Sequence, residues 1–464
     1  MGGGPGEFTR REKRLVLAAS CIAIFITPLM GTMINLALVP IGQEFGVGTH
    51  GLGWMSAAFF LSSVMFLVPI AKVSDIYGKR KVMVAGLLVI TVASVLSSLA
   101  PEYTTLILSR VAAGIGAAAV SCTSLSMLSD VFGRNERGAA LGINTAFVYI
   151  GAAIGPVVGG FLSDALGWRS IFLIVVPFAL AALVLMLAFR YEFSPSEGET
   201  LDVRGSAVYM ASIALVMFGL INLPEAYAFV SLAAGSALFL LFYRAMSRSE
   251  RPVLNTRLFG NRVFARATAA TFMNYAASYA VTFFLALYLQ SIGQLSATGA
   301  GVILLVQPAV QAVLTPIAGR MSDVTDPRLL PTAGMALTCA GLAMLMLLDE
   351  GGGLAYVTVT LVVLGLGYSL FSAPNTNSVM RSVSVREYSD ASATVSTMRQ
   401  MGMMVSMAVA MCTISLVMGS TDNLGPETYG LFVTAMRLSF GVCLVMCVIG
   451  TVISWFRGDE PSPS

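Results

Sequence analysis

The chain is a succession of apolar runs, nearly free of charge, divided by short polar segments. A helix needs about 20 apolar residues to cross the hydrocarbon core of a bilayer. Runs of that kind fall near 15–39, 51–71, 82–100, 105–128, 138–162 and 168–190. A second group lies near 206–223, 226–244, 264–290, 297–319, 331–349, 354–376, 391–419 and 430–456. They predict an all-α polytopic membrane protein of about fourteen spans. Only Asn222-Leu223-Pro224-Glu225 separates the seventh and eighth runs, so a single re-entrant hairpin is the alternative there. Composition agrees. Of 464 residues, 56% are hydrophobic and 11% charged, and mean hydropathy is +0.83. A soluble domain carries about 25% charged residues, so this chain could not clothe a water-facing surface. Abundant glycine, 45 residues, suits spans that must pack closely without a hydrophobic drive between them.

Arg10, Arg11, Lys13 and Arg14 precede an apolar stretch, Leu15 to Val39, too long for the core of a signal peptide. It reads as the first span. Segments on that side hold Lys72, Lys79, Arg80, Lys81, Arg134, Arg137, Arg190, Arg204, the cluster from Arg244 to Arg266, Arg320, Arg328, Arg381, Arg386 and Arg457. The opposite loops carry Glu44, Glu102, Asp164, Glu225, Asp349, Glu350, Asp422 and Glu427, with Arg169 the exception. Positive charge resists translocation, so both ends are expected in the cytoplasm, in the inner membrane of a prokaryote. A net charge of +3 is too small to point to nucleic acid. The six cysteines all fall in apolar stretches, and Cys443 and Cys447 read as small apolar packing rather than a metal pair. No cofactor and no metal are expected.

The polar segments 191–205 and 245–263 flank spans seven and eight. The organisation therefore reads as a six-helix bundle over 1–190, a linker with two inserted helices over 191–263, a second six-helix bundle over 264–456, and a tail over 457–464. Corresponding places in the two halves share a pattern. Ala71-Lys72-Val73-Ser74-Asp75-Ile76-Tyr77-Gly78-Lys79-Arg80 follows span two, and Gly319-Arg320-Met321-Ser322-Asp323-Val324-Thr325-Asp326-Pro327-Arg328 follows its counterpart. Weak symmetry between membrane halves marks a transporter whose site lies at the repeat interface.

The segment at 71–80 resembles the loop 2–3 signature of the major facilitator superfamily, with Ala71 in place of its leading glycine. Leu108-Ser109-Arg110-Val111-Ala112-Ala113-Gly114 resembles the family's span 4 motif. Gly151-Ala152-Ala153-Ile154-Gly155-Pro156-Val157-Val158-Gly159-Gly160 is similar to the antiporter motif of span 5. Gly167-Trp168-Arg169 with Phe172 and Pro177, and Pro252-Val253-Leu254 with Arg257-Leu258-Phe259, resemble further family segments. Together they resemble the fourteen-span drug:proton antiporter branch. The resemblance implies a latch between the halves at Asp75, Gly78, Lys79, Arg80 and Asp323. It also implies a role for Gly155, Pro156, Gly159 and Gly160 where the halves hinge. One feature departs from that branch. In Leu29-Met30-Gly31-Thr32-Met33-Ile34-Asn35, Met30 stands where the antiporters carry an acid, and no carboxylate falls deep in any span. The acids left for proton coupling are at span ends, chiefly Asp75 and Asp130. The lone histidine, His50, lies in an outer loop.

Intramembrane charge marks a pathway or a partner. Arg110 fits either that reading or snorkelling to the outer interface, and Arg399 either a pathway or a brace for the end of its span. Arg437 fits snorkelling. The expected cavity is lined by Asn35, Arg110, Asn144, Tyr149, Asn274, Tyr275, Tyr279, Gln307, Gln311, Asn375, Asn377 and Arg399. The first functional expectation is a secondary active exporter of small amphipathic molecules, with protons as the coupling ion, working as a monomer in the lipid bilayer. The second is an organic-anion or metabolite transporter without proton coupling, since arginines in the spans lack carboxylates. An enzyme or a transporter-like sensor is the third. No H-E-x-x-H, G-x-S-x-G or phosphate-binding loop occurs, and no polar segment is long enough for a soluble output domain.

Overall fold

The computed structural model describes residues 8–194, 198, 200–223, 225–248, 256–322, 324–349, 351–384, 387–419 and 424–458. Among them are fourteen helices long and apolar enough to cross a membrane. They are α1 (Arg10–Phe45), α2 (Thr49–Tyr77), α3 (Lys79–Ser98), α4 (Tyr103–Val131), α5 (Ala140–Leu166, continuous with a first turn from Arg134), α6 (Ser170–Ala188) and α7 (Val203–Leu220). Then come α8 (Ala226–Met246), α9 (Arg262–Ile292), α10 (Ala297–Met321), α11 (Leu329–Met346), α12 (Leu354–Arg381), α13 (Asp390–Met418) and α14 (Tyr429–Trp455). The seventh and eighth runs are thus two full helices. Large apolar side chains such as Leu96, Leu108, Phe161, Val184, Leu240, Val313 and Val445 stand exposed on the outside, where hydrocarbon rather than water would meet them.

Local chemistry sets the helix ends. Thr9 and Glu12 form a reciprocal capping box at the start of α1, satisfying two orphan donors. Asn261 caps α9 and Ser296 caps α10. Regular bonding is interrupted at Ile174 in α6 and at Leu305 in α10. Each break lies three residues before a proline, Pro177 and Pro308, whose missing N–H leaves the preceding turn without a donor.

The two halves repeat one packing scheme. In the first, α1 packs on α5 and α6, α4 on α2 and α3, and α3 on α6. In the second, α9 packs on α13 and α14, α12 on α10 and α11, and α11 on α14. The halves meet along two related seams, α2 against α13 and α5 against α10. The inserted α7 lies across the first seam, on both α2 and α13, with α8 on its outer side. Tyr209 of α7 donates to the Val64 carbonyl of α2 at 3.0 Å. Nothing equivalent bridges the second seam among the described residues.

We call the face that bears the start of α1 and the end of α14 the terminal face, and the other the distal face. Arg169, the cation that breaks the charge pattern, lies on the distal face. It pairs with Glu44 at 2.6 and 2.9 Å and stacks 4.3 Å from the Trp168 ring centroid. Arg437 donates to the Leu348 carbonyl at 2.8 Å, capping the end of α11. Arg457, placed by the sequence at the start of a tail, is fully buried and bonds Asn375 and Ser454.

The glycine run of α5 permits the tightest packing in the first half. A Cβ at Gly159 would sit 2.8 Å from the Met33 Cα of α1, and one at Gly155 1.8 Å from Thr32 Oγ1. Overpacking a rigid interface costs about 1–3 kcal/mol. Gly159→Val should therefore lower the melting temperature measured by fluorescence-detected size exclusion. Gly142→Ala, on the same helix but in open space, should leave it unchanged.

Candidate functional site

Between the halves lies a cavity of about 180 Å³. Its walls come from α1, α2, α4 and α5 on one side and α9, α10, α12 and α13 on the other, the same four positions of each repeat. The polar lining comprises Tyr149, Tyr275, Tyr279, Tyr368, Gln307, Gln311, Gln400 and Arg399, with Thr and Ser hydroxyls between them. Phe59 and Phe60 add apolar surface. Among the described residues no carboxylate, lysine or histidine lines it. Gln307 and Gln311 are one turn apart and share a helix face, as do Tyr275 and Tyr279.

Three hydrogen bonds join the halves around this space. Tyr149 Oη and Ser372 Oγ share one between α5 and α12. Ser63 donates to Gln400 Oε1 at 2.6 Å between α2 and α13. Tyr279 donates to the Gly31 carbonyl at 3.0 Å between α9 and α1, with its ring 4.8 Å from that of Phe60.

Tyr149, Tyr275, Tyr279, Gln307, Gln311 and Arg399, all expected in the cavity, line it. The other six expected residues do not line it. Arg110 is 1% exposed. Its Nε donates to the Met55 carbonyl at 3.0 Å and its guanidinium lies 4.6 Å from the Phe59 ring centroid, while both terminal nitrogens lack partners. Asn35 accepts from Ser56 at 3.4 Å inside the first half. Asn144 is buried on α5, and Asn274 is buried on α9 with neither side-chain atom bonded. Asn375 donates to the Ala267 carbonyl at 3.1 Å and to Thr271 at 2.8 Å, and accepts from Arg457. Asn377 donates to Ser322 at 2.7 Å.

Sequence reasoning did not pick out Tyr368, Gln400, Ser121, Ser278 or Ser372. Two signals were available: Gln400 adjoins Arg399 inside an apolar run, and Ser278 lies one turn from both Asn274 and Thr282. The buried charged side chains among the described residues are Lys79, Arg110 and Arg457. All three are cations.

The residues of the loop 2–3 signature gather at the terminal face. Lys79 Nζ lies 2.7 Å from Asp130 and 3.9 Å from Asp75. Gly78, at φ +114°, makes the sharp turn that lets α3 begin one residue after α2 ends. Arg80 donates to the Met186 and Leu187 carbonyls, closing the end of α6. Asp75 lies within electrostatic reach of Asp390 on α13, a like charge. Asp323 lies outside the described residues. Of the span 5 motif, Gly155 and Gly159 face α1 in their own half, whereas Gly160 and Pro156 face α10 in the other.

Fourteen antiparallel spanning helices, two repeated six-helix sets and a polar cavity on the axis between them define a membrane transporter. The sequence profile of the Major Facilitator Superfamily matches residues 20–407 and, overlapping, 267–464, and the chain belongs to that family. It is 31% identical to the multidrug resistance protein Stp of Mycobacterium tuberculosis, over 86% of this chain and 75% of that one. It is 27% identical to the riboflavin transporter RibZ of Clostridioides difficile, over 96% of this chain and 98% of that one. In fold it is similar to the inward-facing, unoccupied structure of a bacterial homologue of the lysosomal transporter Spinster. The TM-score is 0.71 at 18% identity, covering 98% of this chain and all of that one. The protein is thus a multi-pass membrane transporter of the bacterial type that moves small molecules by secondary transport, and it is not an enzyme.

Removing a partner from a buried charge costs about 1.5–3 kcal/mol. Asn375→Ala should therefore lower thermal stability clearly, by removing one of the hydrogen-bond partners of Arg457. Gln307→Ala, on the cavity wall, should leave the melting temperature within error. A melting series in detergent checks both.

Proposed function

We propose that this protein exports small amphipathic molecules from the cytoplasm by alternating access, in exchange for protons, as a member of the fourteen-span drug:proton antiporter branch. The observation that carries the proposal is the central cavity, whose aromatic and amide lining suits flat, largely apolar solutes with a few hydrogen-bonding groups. The likeness to Stp supports the drug-like substrate class. At about 180 Å³, the cavity is smaller than the roughly 300–1,000 Å³ of drug-sized pockets. The halves must part for a substrate to enter, and the inter-half bonds of Tyr149, Ser63 and Tyr279 are the contacts that give way. The concentration of Lys and Arg on the terminal face supports a cytoplasmic location for both ends.

Proton coupling is assigned to the terminal-face cluster. Asp130 and Asp75 share Lys79, and protonating either acid weakens its hold on that cation. The latch role of Asp75, Gly78, Lys79, Arg80 and Asp323 and the hinge role of Gly155, Pro156, Gly159 and Gly160 belong to the same proposal. Gly160 and Pro156 are the members of that motif that touch the other half.

A second reading is favoured by one specific observation. Arg399 lines the cavity, Arg110 lies behind its Phe59 wall, and among the described residues no carboxylate lines the space. A cationic solute would find repulsion and no counter-charge, whereas a neutral or anionic one would find arginine. The likeness to RibZ supports a metabolite of that kind, moved without protons.

Transport into proteoliposomes separates the readings. With a cationic, a neutral and an anionic dye, antiport predicts flux that rises with an imposed pH gradient and collapses with a protonophore. Asp130→Asn should then cut gradient-driven flux by at least tenfold while leaving exchange at equal pH. Gradient-independent flux of the anionic dye, abolished by Arg399→Ala, would replace proposal one with the second reading.

A further inference from the structure

At the distal end of the α5–α10 seam, a side chain of one half completes a helix of the other. Asp164, in the last turn of α5, accepts from the Ala297 backbone N–H at 3.2 Å and from the Thr298 N–H at 2.7 Å. It also accepts from the Thr298 hydroxyl at 2.6 Å. These N–H groups belong to the first turn of α10, which has no helical partner for them. Ser296, the helix's own cap, satisfies Gly299 at 3.1 Å. The cap of α10 is therefore shared between the halves, and a carboxylate is the group that a helix N-terminus favours.

Packing around this contact leaves no slack. A Cβ at Gly160 would lie 2.3 Å from the Ala297 carbonyl oxygen, and one at Gly301 2.4 Å from that of Pro156. Two glycines, one from each helix, let the backbones touch. Asp164 then reaches α10 with a short side chain. No residue from Ala297 to Leu304 is charged, so nothing on that first stretch of α10 competes for the acid. Asp164 is also exposed at the rim, so water can take its place when the helices part.

We propose that Asp164 is the latch of the distal face, holding α5 on α10 while that face is closed and releasing it when the halves part. The inference rests on the alternating-access reading. On the terminal face, Asp75 pairs with Lys79 of its own half. At the distal seam an acid crosses between the halves. The latch is a bias rather than a lock, because loss of one helix cap shifts an equilibrium by about two- to thirtyfold.

The test uses the full chain with its six cysteines replaced and Thr282→Cys, on the cavity wall, as the probe. A membrane-impermeant maleimide is applied from the distal side of uniformly oriented proteoliposomes. Asp164→Ala should speed labelling by about two- to thirtyfold, while Asp326→Ala, an exposed acid of the terminal face, should not. Asp164→Asn and Thr298→Val each remove part of the contact and should give smaller increases, which keeps the idea open to refutation if Asp164→Ala does not fold. Unchanged labelling in well-folded variants, with the parent reachable from one face at a time, overturns the latch alone. A parent probe reachable from both faces at once overturns alternating access, and the latch with it.

Discussion

Hydrocarbon offers no hydrogen-bond partner, and that constraint orders the whole molecule. Backbone groups are satisfied inside the helices, and polar side chains must bond to a neighbouring helix or face the axis. The serines and threonines of the spans mostly turn back on their own helices, as Thr123 does on Ala119 and Thr271 on Ala267. Longer polar side chains can also reach past their own helix. Tyr149, Gln400 and Tyr279 bridge the halves instead, and the space they enclose is the cavity. Glycine makes the bridges possible, because only where backbones touch do side chains of modest length span the seam.

The fourteen helices were legible because the span-length apolar period is long and its interruptions are charged. Which loops share a side with the chain ends was legible for the same reason. The cavity was readable in part. Tyr275 and Tyr279, or Gln307 and Gln311, share a helix face, so one member carries the other. The asparagines were less informative. Asn375 and Asn377 look like Gln307 in a hydropathy pattern, yet they spend their donors on Thr271 and Ser322. A polar residue in a span must find a partner, but the sequence does not say whether that partner is a solute or the next helix. The Asp164 contact was invisible for another reason: it joins residues 133 and 134 positions apart through backbone N–H groups, which leave no mark on residue type.

The distribution of buried charge separates the two functional readings. Three cations are buried and no described acid is. Lys79 is met by Asp130, and Arg457 by Asn375. Arg110 has one carbonyl and an aromatic face, and two of its nitrogens are unbonded. A buried guanidinium so partnered is costly, and the cost falls if an anion or an acceptor comes within reach during the cycle. Among the described residues the buried charge is thus cationic, whereas the antiporters that the sequence resembles carry an acid in the first span.

The inserted helix α7 makes the two seams mechanically unequal. Because it rests on α2 and α13 and is tied to Val64 through Tyr209, parting those helices means dragging α7 along or shearing it across them. The α5–α10 seam carries no such passenger. If the halves rock as the proposed cycle requires, the α2–α13 edge carries a third helix with it and the α5–α10 edge moves alone. The two seams are alike in the repeat and unlike in what they must move.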